Sequence, residues 1–106
     1  MVKIKWDKLA KESLVEILRY GSLTWGKRVA KNMRLTIKET EKLLSTNPLM
    51  GKNEPELQGN KLQFRSLVIH EHYKLIYYYS TDKDILRIVD IWDTRMNPAN
   101  LKQRVR

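Results

Sequence analysis

Three stretches rich in branched and aromatic side chains follow one another in the second half of the chain, at residues 62–69, 73–80 and 85–92. Only short polar segments, residues 70–72 and 81–84, separate them. Such short connections suit antiparallel neighbours and cannot hold the crossover that parallel strands need, so the pattern predicts an antiparallel meander. The third stretch is apolar on both faces, which predicts a strand in the sheet interior.

The first residues alternate apolar and lysine side chains from Val2 to Trp6, the period of a half-buried strand. Asp7 can then cap a helix that apolar spacing predicts near residues 8–20. Gly21 has the residue type of a helix C-cap, so we expect this first helix to end there.

A second apolar stripe at helical spacing predicts a long helix of about 20 residues. Ser22 or Thr24 could cap its start, and Asn47-Pro48 should stop it, because proline disfavours helical geometry in the residue before it. Residues 21–23 form a connection short enough for an antiparallel helical hairpin.

Residues 48–60 contain two prolines and two glycines without helical or strand period, and we expect an irregular connection there. Pro98 can start a short C-terminal helix. The sequence therefore predicts an α+β fold in one domain spanning residues 1–106. Its N-terminal strand and helical hairpin pack on an antiparallel sheet of about four strands, followed by the short helix.

The chain has 21 Lys and Arg against 12 Asp and Glu, a net charge of +9. This excess favours phosphate-rich or acidic partners. Most of it lies on residues 1–47, where a solvated helical face explains it equally well. Cysteine is absent and no apolar stretch approaches the length of a membrane span, so we expect a cytoplasmic protein without metal, cofactor or membrane contact.

Three cations lie in or just after the predicted strands: Arg65, Lys74 and Arg95. Strand ends and the C-terminal turn could bring them near one another, and together they would suit one phosphate. The alternative is structural, with Arg95 paired to Asp93 or Asp90 and the other two as ordinary charges on an open sheet face.

The run Tyr73-Lys74-Leu75-Ile76-Tyr77, preceded by a strand with a basic residue and a tight turn, resembles the RelE/ParE superfamily of toxins. A looser similarity extends to Trp25-Gly26-Lys27-Arg28 and Asn47-Pro48, and residues 92–98 look typical of a ParE-like branch. The resemblance implies a type II toxin-antitoxin module, in which an antitoxin wraps around the toxin. Given the basic surface, its docking segment should contribute acidic and apolar residues.

Two mechanisms occur in that superfamily. RelE-like members cut messenger RNA in the ribosome, which would make Arg65, Lys74 and Arg95 catalytic candidates. In that case Lys61, His72, Tyr78 and Arg104 would be candidates for binding RNA.

ParE-like members poison DNA gyrase, and three features favour this mechanism, the first being the length of 106 residues. Lys74 stands where many RelE-like enzymes carry arginine, and no general base is evident. His70 and His72 fall at a predicted hairpin tip, where solvation is the simpler role. A non-toxic nucleic-acid-binding or protein-binding module is the third alternative.

Overall fold

The computed structural model describes residues 2–59, 61–96 and 100–101. Two helices pack on a five-stranded sheet, which confirms the predicted α+β architecture. The elements follow in the order β1 (Lys3–Trp6), α1 (Lys8–Trp25), α2 (Lys27–Thr46), β2 (Lys52–Asn53), a 3₁₀ turn (Pro55–Leu57), β3 (Arg65–His70), β4 (Tyr73–Ser80) and β5 (Ile85–Asp93).

The strand order is β1-β5-β4-β3-β2. The predicted meander of β3, β4 and β5 is antiparallel, and β5 lies in the interior as expected. The prediction of about four antiparallel strands needs correction, because β1 runs parallel to β5 and the two-residue strand β2 adds to the edge of β3. No local turn links β1 to β5, so alternation of side chains alone could not reveal their relative direction.

The first helix is longer than predicted. Gly21 lies buried inside α1, and the helix continues to Trp25. Gly26, with φ of 97°, both ends α1 and precedes α2. The expectations of a C-cap at Gly21, an N-cap at Ser22 or Thr24 and a turn at residues 21–23 are therefore wrong. The end of α2 before Asn47-Pro48 and its length of 20 residues are confirmed.

Two apolar cores cover the two faces of the sheet, because successive strand residues point to opposite sides. The first core lies between the helices and the sheet, and Leu75 and Tyr77 of β4 contribute to it. The second core contains Ile76 of the same strand together with Leu57, Phe64, Val89, Trp92 and Leu101. The connection between β2 and β3 thus covers one end of the second face.

The connection after α2 is more ordered than its composition predicted, since residues 48–59 include β2 and the 3₁₀ turn. Glu54 caps that turn by accepting a hydrogen bond from the backbone N–H of Glu56 at 3.3 Å. The strand expected from residue 62 begins at Arg65. Most of the predicted C-terminal helix lies outside the described residues, and Leu101 is buried in the second core.

Candidate functional site

Arg65 lies at the start of β3 and faces the helices, because its partner across the ladder is the core residue Tyr77. Its guanidinium donates to the carbonyl oxygen of Gly51 at 2.8 Å and to that of Leu49 at 3.4 Å. The Tyr77 hydroxyl holds the same segment, accepting from the Gly51 N–H at 2.9 Å and donating to the Pro48 oxygen at 2.8 Å. In this structure Arg65 and Tyr77 therefore fix the segment that follows α2.

Lys74 lies on the opposite face of the sheet, across from Trp92 of the second core. Its Nζ is 2.7 Å from Oε1 of Glu54, and the two side chains are 16% and 0% exposed. Burial by itself raises the pKa of Glu54, but the hydrogen bonds from Lys74 and the Glu56 backbone, with the charge of Lys74, outweigh it and leave the pKa below its usual value. Lys74 is thus engaged with a buried carboxylate.

Arg95 follows β5 and forms a two-pronged ion pair with Asp93, with Nε and Nη2 at 3.0 and 2.9 Å from its two oxygens. These hydrogen bonds hold the pKa of Asp93 below its usual range. The pair borders a cavity of about 340 Å³ between α1 and the end of β5, which Tyr20 and Tyr73 also line. Burial, with the charge of Asp93 adding to it, raises the pKa of the Tyr73 hydroxyl.

These three cations are not brought together on one surface. Arg65 faces the helices and Lys74 faces the second core. Arg95 lies beyond the end of β5, where it is paired with the carboxylate of Asp93. The expected pairing of Arg95 with Asp93 is observed. Arg65 and Lys74, however, are not ordinary charges on an open sheet face, because both are engaged within the protein. Glu54, which no sequence pattern distinguishes from the other carboxylates, is the residue that Lys74 contacts.

The four RNA-binding candidates are also spread over the molecule. Lys61 and Tyr78 border one cavity at the open end of the second face. His72 lies in the β3–β4 turn, where its carbonyl oxygen accepts from the backbone N–H of Thr94 at 2.7 Å. Arg104 lies outside the described residues. Within the described ranges no group of three or more metal-ligating side chains occurs.

A second feature that the sequence did not reveal is a groove between the two helices, with a volume of about 720 Å³. Its floor is apolar, with Val15, Leu18, Ala30 and Leu35. Five cations surround that floor: Arg19, Lys27, Lys31, Arg34 and Lys38. Residues 19–38 as a whole carry six cations and no acidic side chain. The groove depends on the packing of α1 against α2, which the spacing of residues along one helix does not reveal.

No described helix is both long enough and apolar enough to cross a bilayer. Among curated proteins, no sequence matches this chain. Among solved structures, the fold is similar to a chain of the chromosomal ParDE TA system from P. aeruginosa, with a TM-score of 0.68. The two chains are 19% identical over 88% of this chain and 96% of the other, a likeness that shows the fold alone.

The family comparison covers nearly the whole chain. The profile described as ParE toxin of type II toxin-antitoxin system, parDE, matches residues 4–98. That range includes both helices and all five strands, apart from the first residue of β1. The chain therefore belongs to the ParE toxin family of type II toxin-antitoxin systems.

Proposed function

We propose that this toxin inhibits growth by poisoning DNA gyrase rather than by cutting messenger RNA, and that it acts in the cytoplasm as one domain. The observation that carries this proposal is the engagement of the three candidate catalytic cations. Arg65 binds backbone carbonyls, Lys74 binds buried Glu54, and Arg95 binds Asp93. A nuclease site would need these charges free and gathered around the scissile phosphate.

Lys74 is the cation whose release would cost the most free energy. If Lys74 turned to a phosphate, the Glu54 carboxylate would remain buried without its cation. Removing one partner of a buried ion pair costs about 3–5 kcal/mol. A substrate phosphate would have to offset that loss before it contributed to catalysis. Membership of the ParE family supports the same conclusion.

The first test is a supercoiling reaction with purified gyrase and relaxed plasmid, to which the toxin is added in increasing amounts. We expect loss of supercoiling and, after detergent and protease treatment, linear plasmid from trapped cleavage complexes. Addition of the antitoxin should restore supercoiling. Full supercoiling at a large molar excess of toxin would refute the proposal.

We further propose that the antitoxin places an acidic, amphipathic segment in the groove between α1 and α2. The apolar floor suits the apolar side of such a segment, and the five surrounding cations suit its carboxylates. Since all five cations are exposed, their attraction should fall as salt concentration rises.

Antitoxin binding can be measured by calorimetry with Lys31→Glu/Arg34→Glu and a matched control, Lys11→Glu/Lys42→Glu. Both variants change the net charge by the same amount, and all four residues are exposed on helices. We expect the groove variant to weaken binding at least tenfold more than the control. Equal losses in the two variants would mean that only the overall charge matters and that the groove is not the docking site.

A further inference from the structure

The open end of the second face carries a row of polar side chains that crosses three strands. Lys5 of β1 lies opposite Arg87 of β5, and Arg87 lies opposite Tyr78 of β4. Ile4 and Trp6 pack against the first core, so Lys5 between them points to the second face. The row is thus one surface, although its members are far apart in the sequence.

This row borders an open cavity of about 540 Å³ to which Lys61 and Lys83 also contribute. Among the described residues that line it, four are cations and Asp82 is the one acidic residue. Much of the remaining lining is polar, with the side chains of Gln63, Ser80 and Thr81. The lining of this cavity is thus more polar than that of the helical groove, which has an apolar floor.

Several groups of this cavity have no partner among the residues that the structure describes. Lys5, Lys61 and Lys83 form no ion pair with any described residue. Arg87 is paired with Asp7 at 2.9 Å, but both side chains are more than a third exposed. Like charges on neighbouring strands repel, so Lys5 beside Arg87 is an arrangement that a bound anion would relieve.

The three consecutive tyrosines of β4 differ in whether their hydroxyl groups have a hydrogen-bond partner. The Tyr77 hydroxyl is bonded to the segment after α2, and the Tyr79 hydroxyl donates to Asp84 at 2.6 Å. The Tyr78 hydroxyl has no hydrogen bond to a described residue, while its ring packs edge-on against Phe64 at 5.8 Å. The ring is therefore held in place, and its hydroxyl borders the cavity without a described partner.

We propose that this surface binds the phosphodiester backbone of a nucleic acid, with duplex DNA as its ligand. Lysine, arginine and the hydroxyl and amide side chains of Ser, Thr, Gln and Tyr are the groups that contact phosphates in protein–DNA complexes. The site places these residue types around one cavity that lies on the sheet face away from the helical groove. DNA and an antitoxin in the groove would then occupy separate surfaces.

The proposal does not depend on the gyrase mechanism, because binding is measured with DNA alone. The probe is a fluorescent 20-base-pair duplex, titrated with free toxin by anisotropy at several salt concentrations. The test variant is Lys5→Gln/Lys61→Gln/Lys83→Gln. The control, Lys8→Gln/Lys11→Gln/Lys42→Gln, removes the same charge from exposed helical positions. Thermal melting of each variant establishes that it is folded.

We expect the cavity variant to bind the duplex at least tenfold more weakly at low salt. The slope of log K against log salt should fall by about 2 to 3, since each lost phosphate contact removes about 0.9. The control should change affinity by less than threefold and leave the slope unaltered. Single-stranded RNA of equal length serves as a second probe, and binding it more tightly than the duplex would refute the assignment of DNA.

Two other results would overturn the proposal. The first is equal weakening by the cavity variant and its control, which would mean that the net charge alone attracts DNA. The second is no binding of the duplex by the unaltered toxin at low salt. Gyrase poisoning that persists in the cavity variant despite lost DNA binding would leave the gyrase proposal standing, so the two proposals can fail separately.

Discussion

The buried ion pair between Lys74 and Glu54 should make the protein unusually sensitive to one substitution, Lys74→Met. The change keeps an unbranched side chain but removes the charge 2.7 Å from a fully buried carboxylate. Breaking a buried pair in this way costs about 3–5 kcal/mol. For a chain of this size 1 kcal/mol corresponds to roughly 4 °C in Tm, so we expect Tm to fall by roughly 12–20 °C.

The loss should also depend on pH, with a sign that follows from the pKa of Glu54. In the native protein this pKa lies below its ordinary value of 4.5, so ionised Glu54 stabilises the fold above that pH. This contribution is lost as pH falls through the native-state pKa. In Lys74→Met burial remains without the cation and raises the pKa, so the stability deficit is largest near pH 7 and shrinks on acidification.

Urea denaturation followed by circular dichroism at pH 7 and pH 5 measures both effects. Two further variants complete a double-mutant cycle: Glu54→Gln and the combination Lys74→Met/Glu54→Gln. Because the combined variant contains no unpaired buried charge, it should recover most of the lost stability. A cost below about 1 kcal/mol for Lys74→Met, the value of an exposed pair, would contradict a buried ion pair, and so would an equal deficit at both pH values.

Two more predictions concern the helical hairpin and the segment after α2. Gly26→Ala should destabilise the fold by about 1–3 kcal/mol in thermal melts, since φ of 97° with ψ of 165° is a region that glycine alone adopts readily. Gly21→Ala is its matched control and should stabilise the fold by about 0.5–1 kcal/mol, because Gly21 is helical and an added Cβ meets only Trp25 at 3.7 Å. A Gly21→Ala variant less stable than Gly26→Ala would contradict the observed hairpin turn. Tyr77→Phe should lower the free energy of unfolding by about 1–3 kcal/mol in urea denaturation, because it leaves the Gly51 N–H and the Pro48 carbonyl without their partner. A loss below about 0.5 kcal/mol would show that water replaces these hydrogen bonds.

The fold was largely predictable because its main elements have strong local patterns. The aromatic and branched residues of β4 and the apolar run of β5 are properties of adjacent residues, and they predicted those strands almost to the residue. The helical turn was predicted at Gly21 and lies at Gly26, because residue type alone does not show which glycine ends a helix. Tertiary packing buries Gly21 within α1 and leaves the turn to Gly26.

The arrangement of the charged side chains was much less predictable. Arg65 and Lys74 could be assigned to strand faces from the sequence, but their partners come from the segment after α2, which has no period. Nothing in the sequence distinguishes Glu54 from the other carboxylates, because its position against the second face depends on the 3₁₀ turn. The row formed by Lys5, Arg87 and Tyr78 depends on the parallel pairing of β1 with β5, which no local pattern encodes.

The central claim is that this ParE-family toxin acts on gyrase and that its three strand-associated cations have structural roles. The most direct measurement adds one preparation of toxin to two reactions in parallel. One contains ribosomes programmed with a defined message, whose 5′ ends are mapped by primer extension, and the other contains gyrase and plasmid. We predict an intact message beside cleaved plasmid. New message ends that form only when ribosomes are present, with supercoiling unaffected, would contradict the account.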